Sequence, residues 1–364
     1  MEKGFDLLVL NKDFEIVTLL NYTLLQWSRK YYESGYFSVE IPVESYSSEF
    51  KYIYSKDRPE IGKIEQVNYY IQNGYKSVTL SGYFLENELN RRVVYQYATT
   101  TNISNQPTWT IKSTNAEDLA FVFFNAFKDL TFTQADGSTY STDLKISAGT
   151  SQSRGKASEH TRGNESLGNK INTILKPSKM SYRINYDFDT SEQTFECWIG
   201  KDRSQDNTDG NNPIIFSTRY GNITNADLLV ATTDYKNSYL VIEGDYDATG
   251  ECYVIAGNER ATDDLDDSFF YMGSSENSED YSSTSAYISA MRSEAHEELL
   301  ENGKTLSLDF DTIESSYIYR EDFDLGDICS IEIPDLGISE DAVLSGIYEV
   351  VKNGVWSMTL EFTI

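Results

Sequence analysis

The sequence has little with which to build redox, metal or histidine chemistry. Three cysteines (Cys197, Cys252 and Cys329) spread over more than a hundred positions are too few for a disulfide framework or a paired-cysteine metal site. His160 and His296 are the only histidines. Six prolines and 22 glycines in 364 residues exclude a collagen-like or linker-dominated chain. No stretch approaches the roughly 18 apolar residues of a membrane span, and the longest apolar patch, Leu119 to Phe127, is broken by Asn125. Positive charge is scarce as well. Thirty Lys and Arg face 58 Asp and Glu, a net charge of −28, which repels phosphate backbones and anionic membrane surfaces and disfavours nucleic-acid binding or stable membrane association. Glu2, Asp6 and Asp13 surround a short apolar run at Leu7–Leu10, which is not a secretory signal, so the expectation is a chain folded in a cytoplasm.

Aromatic side chains are plentiful. Tyr 27, Phe 18 and Trp 4 make up 13% of the chain, a composition that favours pleated, half-buried β surfaces. With 39% hydrophobic and 24% charged residues the chain is globular, and at about 150 residues per domain its length suits two or three domains.

The first hundred residues read as strands. Residues 5–10 and 14–20 flank a turn cluster at Asn11-Lys12-Asp13, and Tyr36–Pro42 alternates apolar with polar. Lys63–Tyr69 and Lys76–Tyr83 flank Asn73-Gly74, a strong hairpin turn. Several short strands at this spacing predict a small antiparallel barrel or sandwich. The period then changes. Thr114-x-x-Glu117 has the form of a capping box ahead of Leu119, Phe123, Ala126 and Phe127. A second helix is predicted from near Asn164, with Leu167, Ile171, Ile174 and Leu175 on one face and Pro177 as its stop. Between the helices, Ser147 to Gly163 is rich in Ser, Gly, Arg and Lys without periodicity, which predicts a mobile loop holding a solvated His160.

Strands return at Met180–Tyr186, Gln193–Ile199 and Pro213–Ser217, and Tyr239–Ile242 is expected to pair with Glu251–Ile255. Asp263–Asp267, with four aspartates in five positions, reads as a solvated loop, and a third helix is predicted over Ser285–Glu301 before Asn302-Gly303. Strands at 306–310, 328–333, 344–351 and 356–364 close the chain, the last two joined by Asn353-Gly354.

No constellation supports catalysis. His296 opens His-Glu-Glu-Leu-Leu, but the second zinc ligand required four residues on is Leu300. No Gly-x-Ser-x-Gly elbow, P-loop or Gly-x-Gly-x-x-Gly is present, so no nucleotide cofactor is expected. Placing Gly210 sixth in a calcium loop puts Gln205, Asn207 and Asp209 at positions one, three and five, and Phe216 where Glu is required. That excludes an EF-hand and leaves an irregular calcium site open. Paired carboxylates for glycoside hydrolysis carry no signal in a chain with 58 acids, since chance supplies them. Trp27, Trp198 and Trp356 read as core rather than sugar platforms.

Six segments in order carry a resemblance. They are Leu8–Phe14; Trp27–Phe37 leading to Ile41-Pro42; Ser81–Glu86 with Leu89-Asn90-Arg91-Arg92; Gly200-Lys201-Asp202-Arg203-Ser204; Ile215-Phe216-Ser217; and Asp322-Phe323-Asp324-Leu325-Gly326-Asp327. Together they resemble the siphovirus tail-hub family, the baseplate-hub or tail-associated proteins of long-tailed phages and prophages. Residues 134–162 contribute nothing to it.

The resemblance implies a virion protein of the phage tail tip, assembled in the host cytoplasm. It implies a homotrimer whose barrel-like regions form a pseudo-sixfold ring, joined to the distal tail protein or tail tube, to receptor-binding or fibre proteins and to the tape measure protein. DNA would be met only in transit. Many relatives continue into a lytic or receptor-binding region, whereas this sequence stops at Ile364 straight after its last predicted strand. The expectation is therefore a structural protein, not an enzyme, with no cofactor. A tail-associated hydrolase of cell-wall glycan or peptide is the alternative, and a secreted carbohydrate-binding β protein a third reading.

The expected fold is α+β and β-rich, with two small antiparallel β-barrel-like regions and a mixed α/β middle. Its divisions are 1–98, an N-terminal barrel-like domain; 99–180, a helical and mixed insertion with the mobile loop 147–163; 181–304, a central β-rich region ending in a helix; and 305–364, C-terminal barrel strands. Arg91, Arg92 and Arg203 are expected to pair with acids that hold domains or subunits together, and Asp202 and Asp327 to cap or shape turns.

Overall fold

Alternation of apolar and polar side chains sets the architecture. In Tyr36–Pro42 the residues Phe37, Val39 and Ile41 are buried and their neighbours are not, and the same period recurs in Leu24–Lys30, Tyr75–Tyr83 and Val355–Thr363. The computed structural model describes residues 5–94, 110–133, 136–161, 165–231, 238–243, 252–256, 270–275, 283, 305–312 and 317–363. By contacts the chain divides into one unit of Met1–Asp227 with Leu308–Ile364 and a second of Leu228–Ser307.

In the first unit, the N- and C-terminal strands form one sheet. Its order is Ile223–Ala231, Thr305–Thr312, Val355–Thr363, Ile338–Lys352, Leu24–Lys30, Tyr36–Pro42, Tyr75–Tyr83, Gln66–Gln72. The joint lies between strands 24–30 and 338–352, antiparallel from Leu24↔Lys352 to Lys30↔Gly346. Sequence reading predicts a β-rich α+β chain with barrel-like regions at 1–98 and 305–364, and the structure is strand-rich as expected. The observed sheet runs through both, and no barrel closure is found among the described residues. Alternation fixes which face of a strand is buried but not its neighbour, so this pairing has no local signature.

Both predicted hairpin turns form. Asn73-Gly74 and Asn353-Gly354 take φ of 52° and 84°, and 52° and 78°, the doubly left-handed geometry that Asn-Gly favours. A four-stranded sheet, Ile16–Leu19, Leu7–Leu10, Tyr52–Ser55 and Ile61–Lys63, faces the main sheet across a core that includes Leu7, Val9, Trp27, Phe37, Ile53 and Leu80. A second core packs α1 (Ala116–Phe127) and α2 (Leu167–Leu175) with Met180, Ile184 and Phe195 from the Met180–Asp187 and Glu192–Ile199 strands.

Both helix starts differ from the predicted ones. Asn115, not Thr114, caps α1, its Oδ1 accepting from the Asp118 amide at 2.7 Å, which releases Glu117 to bind Arg154. Ser166 caps α2 through the Asn169 amide at 3.2 Å, and Pro177 lies in the 3-10 turn Lys176–Ser178 that follows.

The predicted mobile loop is structured in the described part. Ile146–Ala148 runs parallel to strand 192–199 and Ser158–Thr161 pairs with Thr110–Ser113. Polar bonds replace the missing apolar period: Arg154 forks onto Glu117 (Nη2 at 2.8 Å) and reaches the Cys197 carbonyl, while Ser151 and Ser153 donate to Asp118. His160 is therefore buried rather than solvated. Burial and the nearby Lys170 charge push its imidazole down to about 3, so it is neutral.

In the second unit, Ser238–Glu243 pairs antiparallel with Cys252–Ala256, the pairing the sequence predicts, with Tyr239 opposite Ile255, and parallel with Phe270–Ser275. The predicted helix 285–301 with His296, and the acidic run 263–267, lie outside the described residues.

The shared sheet makes a direct prediction. A fragment of residues 1–98 lacks the 338–352 partner of its central strand and should show no cooperative urea transition by circular dichroism, whereas a sharp transition would mean that this region folds alone.

Candidate functional site: a buried charged junction

Strand period places a guanidinium where the core expects an apolar side chain. Leu25, Trp27 and Arg29 share one face of strand 24–30, and all three are buried. A charge so placed must be paired. Arg29 Nε donates to Glu60, and its Nη1 donates to Tyr319 and, at 2.6 Å, to Asp324 Oδ1. Burial alone would lower the Arg29 pKa, but Glu60, Tyr319 and Asp324 together raise it above the ordinary value. Asp324 is held below its usual range, its own desolvation outweighed by Arg29.

The next strand repeats the device with the opposite sign. Glu349 lies between Ile347 and Val351 and is buried with them. Arg58 grips it with both Nε (2.8 Å) and Nη2, and Trp356 Nε1 donates to it at 3.1 Å. The Arg58 guanidinium also stacks 4.4 Å from the Phe5 ring.

A second node sits on the same C-terminal turn. Asp327, buried, accepts from Arg203 Nε at 2.8 Å, from the Lys201 amide at 2.7 Å and from the Asp324 amide at 3.1 Å. Gly200 and Gly326 meet so closely that a Cβ on Gly200 would strike the Gly326 carbonyl, and the Tyr31 ring lies against Gly326, itself at φ +85°. The Tyr31 hydroxyl is 3.0 Å from the Lys179 carbonyl and accepts from the Gly200 amide at 3.3 Å. Burial pushes that phenol well above the ordinary range. Segments 27–37, 200–204 and 322–327, distant in sequence, thus converge on one point, with Asp324 bonded to both nodes.

Of the residues singled out from sequence, Asp202, Arg203 and Asp327 are brought together. Asp202 Oδ1 accepts from the Ser204 amide at 2.9 Å, shaping the turn, and Asp202 and Arg203 pair in register with Ile328 and Cys329. Arg91 and Arg92 sit apart from them, at the end of the 3-10 turn Leu85–Arg91. Arg91 is bonded to Glu65 and Glu88, and Arg92 Nε donates to the Lys128 carbonyl at the C-terminus of α1 at 3.0 Å. Sequence reasoning missed Arg29, Glu60, Arg58, Glu349 and Tyr319. Arg29 had a signal in its period with Leu25 and Trp27; the others have none without the pairing of strands.

Beside the Arg29 node lies a cavity of about 70 Å³ whose walls include Arg29, Glu60, Glu86, Arg183, Trp198 and Asp324. Among the described residues no group of three or more His, Cys, Asp or Glu side chains is placed to hold a metal ion. The carboxylates of Glu60, Asp324, Asp327 and Glu349 are each bonded to a guanidinium, so what the arrangement does chemically is cross-link segments of the chain.

Replacing Arg29 with Met strands Glu60 and Asp324, and should cost about 3–5 kcal/mol of stability, as breaking a buried pair does. The double substitution R29M/E60Q should recover part of that loss. Urea midpoints measure both, and a midpoint unmoved by R29M would show that the pair is not structural.

The fold matches solved structures at low identity: the tail protein from Neisseria meningitidis MC58 (11% identical, 99% of this chain and 97% of that chain, TM-score 0.56); the 43 kDa tail protein of prophage MuSo2 from Shewanella oneidensis (9%, 99% and 98%, 0.57); and the prophage tail protein gp18 from Listeria monocytogenes EGD-e (12%, 98% and 94%, 0.52). No curated protein matches the sequence. The model of the family described as Siphovirus ReqiPepy6 Gp37-like protein matches residues 6–364, and the chain belongs to that family of siphovirus tail proteins.

Proposed function

We propose that this tail protein is the hub of the tail tip, a homotrimeric ring that joins the tail tube or distal tail protein to the fibre or receptor-binding apparatus and lets DNA pass. The observation that carries this reading is the two-faced sheet. One face supplies the core. The other is polar, and Gln66, Ser81, Ser38 and Gln26 follow one another across four strands in a single register row. Glu40, Asp309, Asp311 and Glu361 add negative charge on that face, with Lys30 committed to Glu361 at 2.6 Å.

A channel wall for a polyanion needs such a surface, short polar side chains and like charge, so that DNA does not stick. Three chains at −28 carry 3 × −28 = −84. An edge suited to a neighbouring chain is present too. Strand 66–72 ends the sheet, is exposed along its whole length and has no charged residue. Edges without charge, proline or cover are templates for another strand, and in so acidic a chain they are where two copies approach with least repulsion.

Light scattering on the purified chain should give about 124 kDa, three times 41.4 kDa, and Ile71→Lys with Tyr69→Lys should reduce it. A stable monomer at high concentration would overturn the trimeric ring for the isolated protein. Phage carrying Glu40→Gln and Asp309→Asn should eject DNA more slowly at low salt, and unchanged ejection kinetics would remove the charge argument.

A further inference from the structure

Glu86 belongs to one of the sequence segments discussed above, yet the cross-links of the junction do not use its carboxylate. The turn 85–91 buries Leu85 and Leu89 among the helices of the second core, and this fixes Glu86 at the wall of the cavity beside Arg29. Its carboxylate is met by backbone amides alone, its own and, by a long bond of 3.5 Å to Oε1, that of Ile184. Its Oε2 is buried without a partner, and so is Oε2 of Glu60 across the same cavity.

The cations nearby are committed. Arg29 of strand 24–30 is held by Glu60, Asp324 and Tyr319, Lys30 of the same strand by Glu361, and Arg183 of strand 180–187 turns Nη2 to Glu196 at 3.1 Å. Arg183 Nε and Trp198 Nε1, both on residues of the wall, are buried donors without partners. Tyr182, whose hydroxyl reaches the Glu86 carbonyl at 3.4 Å, and Asp324 of the C-terminal turn complete the titratable groups around it. Among the described residues no guanidinium is hydrogen-bonded to Glu86, and Oε2 of Glu86 and Oε2 of Glu60, both on residues of the cavity wall, have no hydrogen-bond partner.

We propose that Glu86 is a proton-operated latch: with a proton bound, its carboxyl becomes a donor to Glu60 and closes the junction, and without it two unshielded carboxylates loosen the contact between turn 85–91, strand 180–187 and the 324–325 turn. The electrostatics agree. Burial, reinforced by the Glu60 charge, raises the Glu86 carboxyl from 4.5 to about 7, against the opposing pull of the amide bonds and Arg29.

The sign follows from a pKa raised on folding. The native state holds a proton that the unfolded chain releases, so this contribution is full below 4.5 and is lost as pH rises to about 7. Between those limits it amounts to about 300-fold in the folding constant.

The test compares the full chain with Glu86→Gln by thermal and urea unfolding from about pH 5 to about pH 8. The expected result is similar stability near pH 5 and a growing advantage for E86Q toward pH 8. Parallel curves would overturn the latch. Should E86Q fail to fold, infrared spectra of the native chain decide instead: a protonated-carboxyl band at about pH 6, lost by about pH 8.5, should persist in Asp309→Asn, the other carboxyl raised among the described residues. Its absence in the native chain, or its loss in D309N, would overturn the proposal. The two proteins are compared at one chain concentration, since unfolding of an oligomer depends on it, and the infrared band reports the carboxyl proton directly, so a failure here leaves the hub reading standing, and the reverse.

Discussion

Burial of the Arg29 guanidinium is the constraint on which the rest of the first unit turns. Strand period aims it inward between the side chains of the core, and a charge taken out of water is tolerated only where ligands surround it. Those ligands come from residue 60 and residues 319 and 324, far from position 29 in the chain. The N-terminal strands cannot satisfy their own interior, and the C-terminal turn is needed to do it. Glu349 imposes the same dependence in reverse, since its partner Arg58 belongs to the N-terminal part.

These pairs add specificity more than stability. An apolar residue at 29 and another at 349 would bury comparable surface without the cost of desolvation, and buried ion pairs replaced by apolar side chains often lose nothing. What an apolar pair would not do is distinguish one register from another. Only one alignment of strands 24–30 and 338–352 places Arg29 opposite Ile347 with Glu349 opposite Trp27, and a slip of either strand by one residue would turn its charge to the other face. A sheet assembled from the two ends of a 364-residue chain needs such a marker.

How much of this was legible in the sequence depends on the range of the interaction. Local signals served well: Asn73-Gly74 and Asn353-Gly354 form left-handed turns, and Tyr239 faces Ile255. Helix α1 appears where its period predicts, although a neighbouring residue caps it. What failed was non-local. His160 reads as solvated because its surroundings are polar in sequence, but Ser151, Ser153 and Arg154 are spent on α1 and strand 192–199. Asp202, Arg203 and Asp327 were found through order of motifs, not chemistry. Arg58, Glu60 and Glu349 carry no local mark, because what makes them a site is pairing between segments 31 residues apart for Glu60 with Arg29 and 291 apart for Arg58 with Glu349.

The same logic explains what the Gly and Asp residues of these motifs do in the fold. Gly200 and Gly326 have lost their side chains because two backbones touch there; Asp327 accepts three hydrogen bonds because it closes the turn against strand 202–203. A catalytic carboxylate keeps a lone pair exposed toward a substrate, whereas each of these is aimed at another part of the chain. Glu86 departs from that rule within the junction, since its Oε2 is buried without a hydrogen-bond partner, as is Oε2 of Glu60. The network bonds Glu60, Asp324, Asp327 and Glu349 each to a guanidinium and leaves Glu86 to backbone amide donors alone.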